Sequence, residues 1–327
     1  MEDRLTVSSS PHIRDKANTQ RIMIDVVIAL LPATFAGVYF FGTRVLLVVM
    51  VSILSCVVSE YLSRRIMKRS NTISDFSAVV TGLLLALNLP PTVPLWVAAV
   101  GSAIAIVVIK QLFGGLGQNF VNPALGARII LMISYPGFMT NWVKPGVDAV
   151  SAAASGVDAI SSATPLQIMK YGASIADLPS YGELFWGNIM GCLGETSAAA
   201  LLIGAVYLFA RKIISPEIPF AFIGTTALFT WIFGGTTLFT GDFLFHVLAG
   251  GLLLGAIYMA TDYATSPMTV KGRIIMGIGC GLLTGIIRLF TNYTEGVSFA
   301  IVLMNIMVPL IDRYTIPKSF GGEKAVA

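Results

Sequence analysis

The chain has 327 residues, of which 55% are hydrophobic and only 12% charged, with a formal net charge of +4 and a mean hydropathy of +0.81. Soluble domains carry about 25% charged residues, so a water-soluble globular core is excluded, and the recurrent apolar runs read as helices crossing a bilayer. The basic pI near 9.0 is assigned to cytoplasmic loops rather than to nucleic acid, which is not expected as a partner.

In chain order, the first twenty residues are polar and contain no apolar stretch, which speaks against a cleaved signal peptide. Spans are then expected at about 22–42, 45–63, 73–89, 94–113 and 119–135, and again at 185–210, 217–234, 240–261, 272–290 and 297–312. The sixth admits a second reading: a short interfacial helix from Tyr181 to Cys192, followed by a span from Thr196. The fold expected is an all-α integral membrane protein of about ten transmembrane helices. It divides into a first five-helix repeat over residues 1–135, a loop over 136–180 and a second five-helix repeat over 181–327.

Lys and Arg set the orientation. With the N-terminus cytoplasmic, only Arg44, Lys144, Lys170 and Arg288 face outward and Arg128 falls within a span; the remaining 16 of the 21 Lys and Arg residues face inward. This bias puts both termini in the cytoplasm and the 136–180 loop outside it. A loop of that length is longer than an ordinary connection and a natural carrier of function.

The halves echo each other. Asp75-Phe76 precedes Ala78-Val79-Val80-Thr81-Gly82-Leu83-Leu84-Leu85, and Asp242-Phe243 precedes Val247-Leu248-Ala249-Gly250-Gly251-Leu252-Leu253-Leu254. Each segment is the third span of its half. Five spans per half invert the topology, as in transporter folds built from inverted repeats, and the urea-transporter type is the expected likeness. Glycines within spans, as in Gly277-Ile278-Gly279-Cys280-Gly281, fit close helix packing.

Candidate chemistry is sparse. Cys56, Cys192 and Cys280 stand alone, and His12 and His246 are the two histidines, so no self-contained metal site is expected. Whether a single cysteine joins a cluster shared between subunits is left open. Asp25, Glu60, Asp75, Glu195, Asp242, Asp262, Glu295 and Asp312 all fall near span ends, so no buried carboxylate relay is expected. Asp262 with Thr261, Thr265 and Ser266 is either a hard-cation cluster or a solvated helix end. His246 is either a hydrogen-bonded packing residue or a proton shuttle. Arg128, an intramembrane cation, meets either a flavin carbonyl or phosphate, or a carboxylate such as Asp75. Asn119 and Asn122 offer amides suited to a flavin edge, although Asn122-Pro123 also fits a helix N-cap followed by N1. Thr164-Pro165, in the outer loop, fits the same pattern.

The stretch Asp158-Ala159-Ile160-Ser161-Ser162-Ala163-Thr164-Pro165-Leu166 resembles a flavinylation motif. It belongs to a family that includes the RnfD subunit of the Rnf electron-transport complex and the NqrB subunit of the sodium-translocating NADH:quinone reductase. Ser162 stands where that motif usually has Gly. Ser10-Pro11-His12-Ile13, the Gly114–Ala124 segment containing Asn119-Phe120-Val121-Asn122-Pro123, and Ala260-Thr261-Asp262-Tyr263-Ala264-Thr265-Ser266-Pro267 resemble further family segments in the same order.

The resemblance implies FMN linked through its phosphate to the Thr164 hydroxyl, with Ser161, Ser162 and Ala163 forming the attachment turn. It also implies a second, non-covalent flavin (riboflavin) near Asn119, Asn122 and Arg128. The implied partners are the other Rnf membrane and peripheral subunits, including a second covalent-FMN subunit, an extracytoplasmic flavin transferase and the lipid bilayer of a bacterial inner membrane. The implied function is electron relay in an ion-translocating ferredoxin:NAD oxidoreductase, coupled to Na+ or H+, with no activity expected of the chain alone. A small-solute channel, a scaffold, or the equivalent subunit of the quinone reductase are the competing expectations.

Overall fold

A computed structural model describes residues 18–146, 163–171 and 178–317. The Ser10–Ile13 segment and Ser161 and Ser162 of the attachment motif lie outside the described residues. Helices are the regular structure of the described residues, with no strand among them. Four helices are long and apolar enough to cross a membrane: α1 (Thr19–Phe41), α2 (Arg44–Ile66), α13 (Val270–Phe290) and α14 (Val297–Thr315). Side-chain caps fix two of the starts. The Asn18 side chain accepts from Arg21 N at the head of α1, and that of Thr269 accepts from Gly272 N at the head of α13.

Between these lie shorter apolar helices: α3 (Ser77–Leu87), α4 (Leu95–Ala103), α5 (Pro123–Ser134), α9 (Ala198–Ala210) and α10 (Glu217–Phe233). Helix α4 runs on through π-helical turns over Ile104–Gln111. Four shorter pieces complete the set: α6 (Pro136–Met139), α7 (Pro165–Tyr171), α8 (Tyr181–Trp186) and α11 (Phe243–Leu248). A single turn, α12 (Leu252–Leu254), continues as π-helix over Gly255–Met259.

The expectation of ten full-length spans is therefore corrected: only four helices among the described residues meet that length, α5 within the fifth has 12 residues, and the third, eighth and sixth depart furthest. The third, at 73–89, contains a helix of only 11 residues, about 16 Å at 1.5 Å per residue and roughly half the hydrocarbon thickness. Pro90 and Pro91 lie just beyond it, where the chain turns away. The eighth, at 240–261, is broken between α11 and α12, where Gly250 takes φ 70, a conformation open to Gly without steric penalty. In the sixth, α8 begins with a capping box in which the Ser180 side chain accepts from Glu183 N and the Glu183 carboxylate accepts from Ser180 N. Those bonds from Ser180 hold the Glu183 carboxyl below its usual range. The helix stops at Gly187, with φ 109, rather than running to Cys192. Residues 187–197 are non-helical and almost wholly buried.

Backbone without a helix is tolerated at depth only where protein satisfies it. Here the two irregular segments serve each other. Leu193 N donates to Leu89 O at 3.1 Å and Gly194 N donates to Leu87 O at 2.8 Å, so carbonyls at the C-terminal end of α3, which have no helical partner, are filled by the 187–197 segment.

Packing is tightest between α10 and α13. A Cβ added at Gly277, Gly281 or Gly285 would come within 2.6, 2.6 and 2.4 Å of Ala221, Thr225 and Phe229 respectively. Three glycines spaced by four residues thus face three residues of the same spacing, and the backbones approach as in small-residue membrane interfaces. Across the halves, α1 packs against α9 and α5 against α14. Gly281→Leu is expected to force α10 and α13 apart and cost about 2 kcal/mol or more, read as a lower unfolding temperature of the purified protein in detergent.

Candidate functional site

The centre of the molecule is organised around Arg128, which is 4% exposed. Asn122 caps α5, its Oδ1 accepting from Ala124 N and Leu125 N at 3.1 and 3.3 Å, and Pro123 takes the first helical position. Arg128 follows on the helix face turned inward. Its Nη1 donates to Asn88 Oδ1 at 2.8 Å and to Ser298 Oγ at 2.9 Å. Its Nη2 donates to Cys192 Sγ at 3.4 Å, and lies 3.2 Å from Glu195 Oε1 and 3.7 Å from Glu295 Oε2. Glu195 Oε1 and Glu295 Oε2 face this cation without hydrogen-bond geometry.

Of the two readings for Arg128, a carboxylate partner is the one found, but Asp75 is not that partner. The Asp75 carboxylate is used by the backbone N–H and hydroxyl of Ser77. The acidic residues do lie at helix ends or between helices, as expected, but Glu60, Glu195 and Glu295 are buried there. Glu195 was hidden because 187–197 is folded into the protein, and Glu295 because it precedes α14 in a turn facing the interior. An apolar stretch that stops being helical at Gly187 is the one sequence signal that could have found Glu195.

Arg288, expected outside, is buried in the last turn of α13. It donates to the carbonyls of Glu295 at 3.2 Å and Ala249 at 3.3 Å, and also to that of His246. The last two are C-terminal carbonyls of α11, left open by the break. Lys110, expected in the inner basic set, is buried on the π-helical segment and donates to Glu60 Oε2 at 2.9 Å and Ser77 Oγ at 2.6 Å.

Thr164 is 3% exposed. Its Oγ1 accepts from Gln167 N at 3.3 Å, its own N–H donates to Gln167 Oε1 at 2.9 Å, and its carbonyl accepts from Ile168 N. This is the reciprocal capping pair of a Thr-x-x-Gln helix start, which agrees with the N-cap reading of Thr164-Pro165. Ala163 beside it is exposed. Thr164 lines a small cavity together with Leu166, Gly250, Glu195 and Glu295, so it sits against the Arg128 cluster.

A second cavity, about 800 Å³ with its open space included, lies between the halves and is lined by residues from both. Asn119 and Asn122 line it together with Ser77, Thr81, Lys110, Tyr258 and Asp262. Asn119 Nδ2 donates to Val121 O at 3.0 Å and Asn122 Nδ2 to Met259 O at 3.2 Å. The lining is mostly apolar with a few convergent polar groups, the usual character of a small-molecule site. Arg128 does not line it. Asp262 accepts from Thr265 Oγ1 at 3.2 Å and is a self-capped turn. Among the described residues no group of three or more His, Cys, Asp or Glu is placed to hold a metal.

Two chains of buried groups meet at the Arg128 cluster. One leads to Thr164 through Glu195. The other leads to the larger cavity through Asn88, whose Nδ2 reaches Met259 Sδ at 3.4 Å, and through Met259 O to Asn122.

Comparison with known proteins adds the following. The sequence model of the NQR2, RnfD, RnfE family matches residues 6–321. The D subunit of the Na(+)-translocating ferredoxin:NAD(+) oxidoreductase complex of Acetobacterium woodii is 47% identical over 325 residues, covering 99% of this chain and 97% of that protein. The D subunit of the proton-translocating ferredoxin:NAD(+) oxidoreductase complex of Clostridium ljungdahlii is 46% identical over 327 residues, covering 98% and 97%. The D subunit of an ion-translocating oxidoreductase complex of Escherichia coli is 37% identical over 350 residues, covering 97% and 99%.

Removing one member of a buried ion pair strands the other, at about 3–5 kcal/mol. Arg128→Met is expected to destabilise the protein by that order. Arg128→Met combined with Glu195→Leu is expected to recover part of the loss, read from unfolding temperatures of the four species of a double-mutant cycle.

Proposed function

Because the chain belongs to the NQR2, RnfD, RnfE family, we propose that it is the flavin-carrying RnfD subunit, set in the membrane, of an ion-translocating ferredoxin:NAD oxidoreductase complex. The complex would couple electron relay to movement of Na+ or H+. The observation that carries the reading is near-full-length identity of 46–47% with the D subunits of two such complexes. As a multi-pass bacterial membrane protein it would work with the other Rnf subunits, a second covalent-FMN subunit among them, and would receive its flavin from an extracytoplasmic transferase. Both termini would lie in the cytoplasm with Thr164 outside it, in keeping with the Lys and Arg bias. The halves would be inverted five-helix repeats of urea-transporter type, in keeping with pairing of equal ordinals across them, α1 with α9 and α5 with α14.

Thr164 is the residue proposed to carry FMN through a phosphate ester. Two features of the site fit the group. Thr164 stands just before α7, next to exposed Ala163, and its hydroxyl is engaged by a single cap bond, from Gln167 N. Clefts large enough for a flat heteroaromatic ring flank α7. When bound, FMN would supply one-electron redox chemistry. The chain supplies position. Lys170 ties α7 to the end of α13 by donating to Arg288 O at 2.7 Å and to Thr291 O, and Gly250 and Glu195 border the same small cavity as Thr164. A non-covalent flavin such as riboflavin would occupy the larger cavity, where Asn119 and Asn122 would hold its polar edge.

Thr164→Val in cells expressing the transferase is expected to abolish in-gel flavin fluorescence of this subunit and the FMN mass on the 158–170 peptide. It should cost only about 1 kcal/mol of stability for the lost cap. A wild-type peptide without that mass removes the covalent assignment. Asn119→Leu is expected to lower the flavin released by acid precipitation while leaving the Thr164-linked flavin in place, measured by chromatography of the supernatant.

A further inference from the structure

Helix α7 separates two clefts, and they differ in chemistry. One, of about 830 Å³ including open space, is lined by Lys144, Pro165, Glu183 and Asn188 among others. Its carboxylate is already committed to Ser180. The other, of about 660 Å³ on the same measure, is lined by Leu166, Lys170, Phe233, His246, Arg288 and Phe290 and has no carboxylate among its described lining residues. Both clefts adjoin the small cavity of Thr164, the first through Pro165, Ile189 and Met190 and the second through Leu166, so the choice between them rests on their chemistry.

His246 distinguishes this cleft. It is 5% exposed, yet neither Nδ1 nor Nε2 has a hydrogen-bond partner among the described residues. The sequence allowed a hydrogen-bonded packing residue, and the geometry does not bear that out. A neutral imidazole carries one donor and one acceptor, and leaving both unmade in a buried place is costly enough that an apolar residue would serve packing better. The two cations of the cleft are already occupied. Lys170 serves the carbonyls of Arg288 and Thr291, and Arg288 serves those of Glu295, Ala249 and His246. They set a positive field and leave His246 as the group without a partner.

We propose that this cleft receives the isoalloxazine ring of the flavin carried on Thr164, with His246 as the positioning residue that hydrogen-bonds its polar edge. The inference rests on the Thr164 reading above. The ring brings adjacent carbonyl and ring-nitrogen acceptors and one N–H donor, a match for an imidazole with both functions unused. Phe233 and Phe290 supply apolar and aromatic surface for its faces. Lys170 and Arg288 line this cleft with no carboxylate among its described lining residues, although Glu295 lies beside Arg288, whereas the other cleft pairs Lys144 with Glu183.

The test uses the purified, flavin-loaded complex. Peptide mass spectrometry at Thr164 serves as the loading control, and a spectroelectrochemical titration of the Thr164-linked flavin as the readout. His246→Leu is expected to keep the FMN mass and to change the oxidised-to-reduced ratio at fixed potential by about tenfold, the weight of one hydrogen bond. His246→Gln, which keeps a donor and an acceptor, is expected to restore most of it. Phe233→Trp is expected to quench the fluorescence of the Thr164-linked flavin, while Ile168→Trp in the other cleft leaves it unchanged. These two variants keep the test alive where His246→Leu fails to assemble. A normal titration in His246→Leu with FMN still on Thr164, or quenching by Ile168→Trp and not by Phe233→Trp, overturns the ring site and leaves the attachment intact. Absence of FMN from wild-type Thr164 overturns both.

Discussion

A guanidinium removed from water inside a membrane protein has to be met by protein groups, because the penalty for leaving its charge bare in a low-dielectric interior is several kcal/mol. Arg128 imposes that requirement on the whole centre of this chain. Its five protein contacts come from three separate segments: Asn88 at the end of α3, Cys192 and Glu195 in the 187–197 stretch, and Glu295 and Ser298 at the start of α14. None of these segments is a mid-helix surface. Each is a helix end or an irregular stretch, the parts of a membrane chain with the fewest internal constraints. The cation therefore supplies register where helix geometry does not, and it joins residues from both halves at one point.

The same economy governs the breaks. A helix that stops within the protein leaves carbonyls open, and lipid offers them nothing. At α3 the N–H groups of Leu193 and Gly194 fill them. At α11 the Arg288 guanidinium does so. Two breaks, one in each half, are thus closed by different means, one by backbone and one by a side chain. The consequence is asymmetric. The backbone closure at α3 is compact, whereas the side-chain closure at α11 leaves space around Arg288, and that space is where His246 and the cleft beside α7 lie.

Part of this was readable in the sequence. Apolar runs locate the helices because hydropathy reports the environment of each residue, and Asn122-Pro123 and Thr164-Pro165 mark helix starts because capping is local chemistry. What was not readable depends on contacts far along the chain. Nothing local tells that α3 spans only about half a bilayer, because Leu89 and the prolines after it continue an apolar run. Arg128 announces itself as an intramembrane charge, but its partners Glu195 and Glu295 lie 67 and 167 residues away, and each sits beside glycines that read equally well as a loop. Arg288 looks like a loop cation for the same reason. The attachment motif was legible only by resemblance, since four small residues before a proline specify no chemistry by themselves.

On the proposed function, the two flavin positions would lie at opposite ends of one buried polar chain, from Thr164 through Glu195, Arg128, Asn88 and Met259 to Asn122 and the larger cavity. Arg128 is fixed there by Asn88 and Ser298, with Glu195 3.2 Å away, so the groups along it hold one another in place. Electron transfer needs fixed cofactors. On that reading the centre of the subunit would keep two redox groups at a set separation. Of the two breaks, the one at α11 is closed by a side chain rather than by backbone. Its closure depends on one side chain whose charge sits beside Glu295, Gly250 and the cleft at α7, so the same groups that would sense the charge of a flavin there also hold the break shut.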